Sequence, residues 1–364
     1  METQNNVNSL LRKLQTKYGD TFSFDQVAIE KEVDIQSSQF SNLAVKILSV
    51  IGGFLGSLFF LGFLLALGMY DTPAVALVLG VILIIVALGI DRNETSTLLD
   101  TISISNFLIG GFLIGFGLEE QLGGNDNYIA LVSMMVATIS FFLAKGFMLR
   151  LICMLIFNGC WLYIIVDNGI NSAFHFQLIF LLAGFLYLSF YEAKLISKNI
   201  FWNLVYKPLH AGFLLSLSFV LFLLANSWKV EVYFFNSWIS AVVIFLANLF
   251  VVYKIIKGLK LSDGKNKMWI YGLSVFVFLP TFLMPSIGGA ILVLLTSYHI
   301  GHRVGIALGM IGLVYFGMQF YYDLNLTLFT KSIILMVSGV VFLSAYFFYN
   351  ITFTDDLVKN KELN

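Results

Sequence analysis

Apolar runs of about 20 residues recur along this chain from residue 43 almost to residue 349. An α-helix of that length is what crosses the roughly 30 Å of hydrocarbon in a lipid bilayer. No connection between the runs is longer than roughly 17 residues, which is too short for a soluble domain. The sequence therefore predicts an all-α protein, a polytopic bundle of transmembrane helices.

The distribution of charge marks the ends of this bundle. Hydrophobic residues make up 59% of the chain, charged residues only 12%, and the mean hydropathy is +0.89, as expected of a protein solvated by lipid. The charges gather near the two ends of the chain and between the apolar runs. We expect a cytoplasmic N-terminal region at 1–39, a transmembrane bundle at 40–349 and a cytoplasmic tail at 350–364.

Turn residues and charges between the runs predict about twelve spans. These cover residues 43–68, 73–90, 101–118, 128–144, 147–166, 173–191, 208–226, 237–256, 268–284, 286–300, 303–321 and 328–349. The ninth to eleventh are the least sharply separated, because only short breaks near Pro285 and Gly301 divide them. Pro280 falls inside the ninth run, where it should kink the helix.

Basic residues predict the orientation of these spans, because short cytoplasmic loops collect Lys and Arg. With both termini cytoplasmic, the inner segments hold 19 of the 21 basic residues and the outer segments keep only Lys229 and Lys331. A miscount by one span would invert every later loop and scatter this bias. The outer face is then acidic, with Asp71, Glu119, Glu120, Asp126, Asp167, Glu231 and Asp323.

The N-terminal region contains a predicted amphipathic helix. Apolar side chains recur at helical spacing from Val7 to Tyr18, with Arg12, Lys13 and Lys17 between them. Such a helix lies on the cytoplasmic membrane surface or docks a partner. The favoured alternative is that it packs on the inner loops of the protein itself.

Two segments resemble a bacterial multi-pass membrane family that is catalogued as domain of unknown function 4401. The first runs from Leu43 to Phe63 and includes Gly52, Gly53, Gly56 and the sequence LGF, and the second is YYDLNLTLFTKS at 321–332, followed by an apolar run with Gly339. The resemblance implies a protein of the bacterial cytoplasmic (inner) membrane. It also implies two partners, another multi-pass protein and a small anchored envelope protein, but no reaction.

The second of these segments contains the first candidate site. Lys331 lies about one turn inside the outer end of the last predicted span, where an ammonium is costly unless it snorkels or finds a partner. Asp323 precedes it in a stretch expected to be non-helical, and acids of an outer loop, Glu119, Glu120 and Asp126, are alternative partners. The candidate outer-face latch comprises Tyr321, Tyr322, Asp323, Lys331 and Ser332. The alternative is a snorkelling lysine that only anchors a helix.

Weaker candidates are polar side chains within the spans. His175, Gln177 and Asn158 lie in apolar runs, as do Asn106 and Asn248. Such side chains usually hold helices together, each contributing on the order of 1 kcal/mol, and this interpretation is favoured over a transport path.

No metal or cofactor site is predicted. His299 and His302 are spaced to share a helix face, but a metal site needs three or four ligands and no Cys or carboxylate stands nearby. Cys153 and Cys160 are seven residues apart, about 10 Å along one helix, which is too far for a disulfide. No nucleotide, nucleophile or metalloprotease motif occurs, so neither an enzyme nor a nucleic-acid-binding protein is expected.

Glycine pairs in the spacing GxxxG are expected to pack helices together. They are Gly52 with Gly56, Gly111 with Gly115, and Gly305 with Gly309. Asp91 and Arg92 after the second span resemble the inner loop of major-facilitator transporters only poorly, since the glycines and basic residues expected around them are absent.

The sequence as a whole favours a membrane component of a bacterial envelope assembly. The alternative is a secondary transporter or permease for a small solute, which a count of twelve spans suits and the scarcity of buried charge disfavours. A polar cavity lined by interrupted helices would indicate the transporter, and a filled bundle with an exposed apolar groove would indicate the assembly.

The topology is testable by labelling introduced cysteines. The asymmetry of basic residues predicts that cysteines at Asn125 and Asn171 react with an impermeant reagent from outside, whereas cysteines at Gly264 and Asn360 do not. Reaction at Gly264 with protection at Asn125 would reverse the orientation. Disagreement between Gly264 and Asn360 would show that the span count between them is wrong.

Overall fold

The computed structural model describes residues 72–93, 97–121, 123–226, 237–258 and 264–323, with scattered positions at 52–68 and 329–343. All regular structure in these residues is helical, which confirms the predicted all-α class. The N-terminal amphipathic helix and the C-terminal tail lie outside the described residues, as does most of the first and twelfth predicted spans.

Eleven α-helices and one 3₁₀ helix make up the described residues. They are α1 Pro73–Asn93, α2 Thr97–Gln121, α3 Asp126–Leu143, α4 Phe147–Asp167, α5 Asn171–Phe190, α6 Glu192–Ile196, α7 Ile200–Ala225, α8 Ser237–Gly258, α9 Gly264–Phe278, the 3₁₀ helix Leu279–Phe282, α10 Pro285–Ile300 and α11 Arg303–Asp323. Eight of them are long and apolar enough to cross a membrane, namely α1 to α5, α7, α8 and α11. The apolar stretches Ile270–Phe282 and Pro285–Ile300 are shorter.

Two of the four prolines, Pro208 and Pro280, have different effects on the helices that contain them. At Pro280 the α-helix gives way to the 3₁₀ helix, so the regular helix is interrupted where the sequence predicted a kink. Pro208 instead lies inside α7, which begins at Ile200, eight residues before the predicted start of that span. A proline inside a helix leaves the carbonyl four residues earlier without its usual donor, so Leu204 must be satisfied in another way.

The chain divides into two compact units. Unit one comprises Met1–Asp167 and Leu195–Gly212, and unit two comprises Asn168–Lys194 and Phe213–Asn364. Unit one therefore contains α1 to α4 and the first half of α7. The second half of α7 belongs to unit two, together with α5, α8 to α11 and the 3₁₀ helix.

Unit one is organised around a close antiparallel contact between α1 and α2. A Cβ atom added to Gly80 would lie 2.8 Å from the backbone oxygen of Gly110, and one added to Gly110 would lie 2.7 Å from the oxygen of Gly80. Only glycine at both positions lets the backbones approach so closely. The apolar core beside this contact includes Ile84, Phe107 and Leu149.

Unit two contains an antiparallel hairpin of α10 and α11. Gly301 turns the chain with φ of 77°, a left-handed conformation that favours glycine. A Cβ atom on Gly309 would lie 2.9 Å from the backbone of Leu294, and one on Gly305 would overlap the side chain of Ser297. The packing role predicted for Gly305 and Gly309 is therefore confirmed.

Within the described residues, the other two predicted glycine pairs mark no close contact. Added Cβ atoms at Gly52, Gly56 and Gly111 would meet nothing within 4 Å, and at Gly115 only a side chain at 3.7 Å. The prediction was wrong for α2 because the close contact uses Gly110 and lies one residue away on the helix, on a different face.

The neighbouring residues Gly110 and Gly111 provide a matched test of this contact. We expect Gly110→Ala to destabilise the protein by about 1–3 kcal/mol, because the new methyl group overpacks the α1–α2 contact. Gly111→Ala should be neutral or stabilising, since alanine favours the helix by up to about 1 kcal/mol. Thermal unfolding of the full chain in lipid nanodiscs measures both. Equal effects would show that the contact is looser than described.

Candidate functional site

Asp91 is a buried carboxylate that holds the turn between α3 and α4. Its side chain is 7% exposed, and one oxygen accepts hydrogen bonds from the backbone N–H groups of Lys145 at 2.6 Å and Gly146 at 3.0 Å. A Cβ atom on Gly146 would overlap this carboxylate. Asp91, from the end of α1, therefore caps the approach to α4, where a negative charge is favourable.

Arg150 is a buried guanidinium that serves the same turn from the opposite side. It is 4% exposed, and its Nε and Nη2 donate to the carbonyl oxygen of Ala144 at 2.9 and 2.5 Å. Its Nη1 donates to the carbonyl oxygen of Leu204 at 3.0 Å. This is the carbonyl that Pro208 leaves without a helical donor, so one side chain satisfies two interruptions of the backbone.

We call Asp91, Arg150 and the turn at 144–146 the charged clamp. The carboxylate and the guanidinium do not bond directly, but the negative charge of Asp91 acts on Arg150. Arg92 adds a hydrogen bond from Nε to the carbonyl oxygen of Leu143 at 3.2 Å. Because the guanidinium and one carboxylate oxygen bond to backbone groups, the clamp joins α1, the α3–α4 turn and α7.

Sequence reasoning missed the clamp. It treated Asp91 as part of a poor motif and Arg150 as a charge of an inner loop. One signal in the sequence pointed to it: Arg150 stands in an apolar run, where a charged side chain usually has a specific partner.

A cleft opens in unit one at the opposite ends of α3 and α4. It has a volume of about 400 Å³, and its lining includes Glu119, Asp126, Ser133, Cys160 and Tyr163. A second pocket of about 200 Å³ shares Phe112, Ser133 and Cys160 with it and continues between α2, α3 and α4. We call the two together the acidic-mouthed cleft.

Hydrogen bonds fix the acidic side chains around this mouth. The Tyr163 hydroxyl donates to Asp126 at 2.9 Å, and the Asn127 amide donates to Asp167 at 2.9 Å. The carboxylate of Glu119 has no hydrogen-bond or ion-pair partner among the described residues. The mouth therefore carries negative charge that the described residues of unit one do not neutralise locally.

A groove of about 290 Å³ opens in unit two between α7, α10 and α11. Small residues line it, namely Ala290, Gly309 and Gly312, and the side chains of Phe222 and Ile311 beside them are exposed. Near one end, Asn226 and Tyr315 exchange hydrogen bonds at 3.1 and 3.3 Å. We call this the apolar groove.

Four of the weaker polar candidates are buried within helices, namely His175, Gln177, Asn158 and Asn248, whereas Asn106 is half-buried. His175 in the first turn of α5 lies 2.7 Å from the hydroxyl of Ser240 in the first turn of α8, and so links these two helices. Asn158 donates to the carbonyl oxygen of Met154 in its own helix at 2.9 Å. Gln177 is fully buried within unit two. The predicted role of these residues in holding helices together stays a prediction, with a transport path as its alternative.

The segment of the candidate outer-face latch is helical for longer than expected. The helix α11 ends with Tyr321, Tyr322 and Asp323. No Gly or Pro interrupts the helix between Gly317 and Asp323. The expectation of a non-helical stretch at Asp323 was therefore wrong. Ser332 has a helical backbone and is exposed, whereas Lys331 lies outside the described residues, so its pairing stays a prediction.

His302 caps α11. Its Nδ1 accepts a hydrogen bond from the backbone N–H of Gly305 at 3.1 Å, which requires a neutral nitrogen at that position. Burial lowers the pKa of His302 below its ordinary value, against the raising effect of Glu192. His299 lies beside Phe190, with 6.0 Å between ring centroids. The described residues contain no group of three His, Cys, Asp or Glu arranged to hold a metal.

The charged clamp makes a graded prediction for stability. Arg150→Met should destabilise the protein by about 3–5 kcal/mol, because it leaves Asp91 as a buried charge without its cation and two carbonyls without donors. Asp91→Asn should cost about 1 kcal/mol, since an amide oxygen still accepts from the turn. The exposed Lys145→Met is the control and should change stability by less than about 0.5 kcal/mol.

Thermal unfolding of the full chain in nanodiscs measures these three variants and the double variant Asp91→Asn/Arg150→Met. The double change should be milder than the sum of the two single changes, because the two charges interact. Strict additivity, or an Arg150→Met protein as stable as Lys145→Met, would contradict the clamp.

Comparison with known proteins assigns this chain to a family. Residues 42–350 match the family described as Domain of unknown function (DUF4401). Neither the curated proteins nor the solved structures contain a significant match. The matched range includes every helix described above and both segments on which the resemblance was based. The chain therefore belongs to this family, and it is a membrane protein with several membrane-spanning helices.

Proposed function

We propose that this protein is a membrane component of a bacterial envelope assembly in the cytoplasmic membrane, and that the apolar groove of unit two receives a transmembrane helix of a partner. The partner class follows from the family resemblance, which implies a small envelope protein with one membrane anchor. The apolar groove is the observation that supports the proposal.

The shape of the apolar groove suits a helix better than it suits a solute. A solute path needs several polar groups, whereas this groove is lined mostly by small and apolar residues. Its two polar residues, Ser218 and Tyr315, are hydrogen-bonded to Leu214 and Asn226. Helices in lipid associate through close packing on small residues, because lipid chains remove any hydrophobic gain. A large side chain of the partner would fill the groove, since its volume of about 290 Å³ is too small for a whole helix.

The hydrogen-bonded pair at the end of the apolar groove adds specificity. Asn226 and Tyr315 satisfy each other, and the ring of Tyr315 is stacked on Phe222 with 5.4 Å between centroids. The Tyr315 oxygen retains capacity to accept one further hydrogen bond. A polar side chain on the partner helix would find a fixed acceptor there, which sets the register of the two helices.

One observation favours the transporter as a second candidate. The helical structure is interrupted between the 3₁₀ helix and α10. Near this break the Nδ2 of Asn248 donates to the carbonyl oxygen of Gly288 at 3.0 Å. The Oδ1 of Asn248 and the hydroxyl of Ser286 are buried and have no hydrogen-bond partner among the described residues. Broken helices with polar groups form the substrate sites of many carriers.

Site-specific photocrosslinking in native membranes tests the proposal. A photoreactive residue in place of Ile311, which lines the apolar groove, should give a discrete product with the membrane-spanning segment of another protein. The control is the same residue in place of Met318, which is exposed on α11 outside the groove and should give none. The product should disappear on adding Gly312→Leu, which fills the groove, but remain with Gly317→Leu, whose Cβ meets nothing within 4 Å.

Crosslinking to lipid alone at both positions would contradict the assembly proposal. If in addition a cysteine in place of Ser286 reacted with a water-soluble maleimide, the helix break would be open to water and the transporter would become the better proposal. A product that persists with Gly312→Leu would place the partner on α11 outside the apolar groove.

A further inference from the structure

The acidic-mouthed cleft of unit one changes character along its length. At the mouth are the carboxylates of Glu119 and Asp126, and further in are Phe112, Ser133 and Cys160, where the second pocket of about 200 Å³ begins. The lining is therefore charged at one end and apolar over the rest. A ligand that fills it needs the same division between a polar head and an apolar body.

The described basic side chains of unit one lie away from the acidic mouth of the cleft. The described Lys and Arg side chains of this unit belong to the end that holds the charged clamp or to the segment that contacts it; they are Arg92, Lys145, Arg150, Lys198 and Lys207. The described charged residues at the other end of unit one are acidic: Glu119 and Asp126 line the cleft, and Glu120 and Asp167 lie near its mouth. No described cation of unit one is available to neutralise the mouth.

Two of these acids line the cleft and differ in how firmly they are held. Asp126 is fixed by the Tyr163 hydroxyl through one carboxylate oxygen, which leaves the other oxygen to accept from a ligand. Glu119 is exposed and its carboxylate has no partner among the described residues of the chain. Asp167 is bonded to Asn127, and neither Asp167 nor Glu120 lines the cleft.

We propose that the acidic-mouthed cleft binds a single-chain cationic amphiphile, whose amine, quaternary ammonium or guanidinium head lies between Glu119 and Asp126 and whose chain lies along Phe112, Ser133 and Cys160. The charge of the mouth selects the cation, and the apolar inner part accepts the chain. The site is separate from the apolar groove, so the proposal does not depend on the proposed function.

The size of the cleft distinguishes an amphiphile from a partner helix. Pockets for small ligands have volumes of about 300–1,000 Å³ and a few polar groups in an apolar lining. The outer pocket of the cleft alone, of about 400 Å³, fits that description. A transmembrane helix is about 10–12 Å across with its side chains and needs a longer contact surface. The cleft therefore favours one hydrocarbon chain.

Cys160 gives a direct readout of occupancy, because it lines both pockets and is only half-buried. The experiment uses the full chain with Cys153→Ala in zwitterionic nanodiscs and follows the reaction of Cys160 with N-ethylmaleimide. Dodecyltrimethylammonium should protect Cys160. Dodecylphosphocholine, which has the same chain but also a phosphate, should protect much less, and tetramethylammonium, which has no chain, should not protect.

Two matched double variants test the role of the mouth. Glu119→Gln/Asp126→Asn should raise the half-protecting concentration of dodecyltrimethylammonium by about tenfold or more, because charge-assisted contacts of that strength are lost. Glu120→Gln/Asp167→Asn removes the same charge from the same end of unit one but not from the cleft, and should leave the concentration within about twofold, since exposed charges act weakly at a distance.

A second measurement keeps the proposal testable if Cys160 reacts too slowly to follow. Dodecyltrimethylammonium should raise the unfolding temperature of the protein with Cys153→Ala, and Glu119→Gln/Asp126→Asn should abolish that rise while Glu120→Gln/Asp167→Asn preserves it. Equal responses of the two double variants would overturn the proposal, as would equal protection by all three probes. Protection of Cys160 that exists in native membranes, is lost on purification and is not restored by the amphiphile would indicate a partner helix in its place.

Discussion

The turn between α3 and α4 in unit one depends on two buried charged side chains, Arg150 and Asp91. There the chain leaves N–H and C=O groups outside any helix, and a buried polar group without a partner costs about 1–3 kcal/mol. Arg150 satisfies the carbonyls and Asp91 satisfies the amides. The same guanidinium satisfies the carbonyl that Pro208 leaves free, so the first half of α7 is tied to the turn as well.

This arrangement explains why buried charge is present in so apolar a chain. A lone arginine or aspartate would be expensive, but each here replaces a backbone partner that the fold needs, so its cost is offset by the groups it satisfies. The clamp also fixes one end of α3 and α4. Their other ends carry Asp126 and Tyr163 at the mouth of the cleft, so the clamp and the cleft lie at opposite ends of the same two helices.

The sequence predicted the positions of most described helices, because the length of an apolar run follows from the thickness of a bilayer. The predicted count of about twelve spans is not confirmed, since eight described helices are long and apolar enough to cross a membrane. It also predicted the interruption at Pro280 and the contact of Gly309. It missed the contact of Gly80 with Gly110, because the spacing of glycines within one helix does not show which face meets a neighbour. It missed the clamp because Asp91, Arg150 and Leu204 are joined by tertiary structure alone.

The two proposed binding surfaces, the apolar groove and the acidic-mouthed cleft, select their occupants by different physical interactions. Within lipid, burying apolar surface brings no gain, so a groove such as that beside Gly312 selects its occupant by shape and by the polar pair at its end. At the mouth of the cleft, water and charge are present, and the carboxylates of Glu119 and Asp126 select by electrostatics that weaken with salt. Binding at the cleft should therefore be sensitive to ionic strength, whereas binding in the apolar groove should respond to the volume of one side chain.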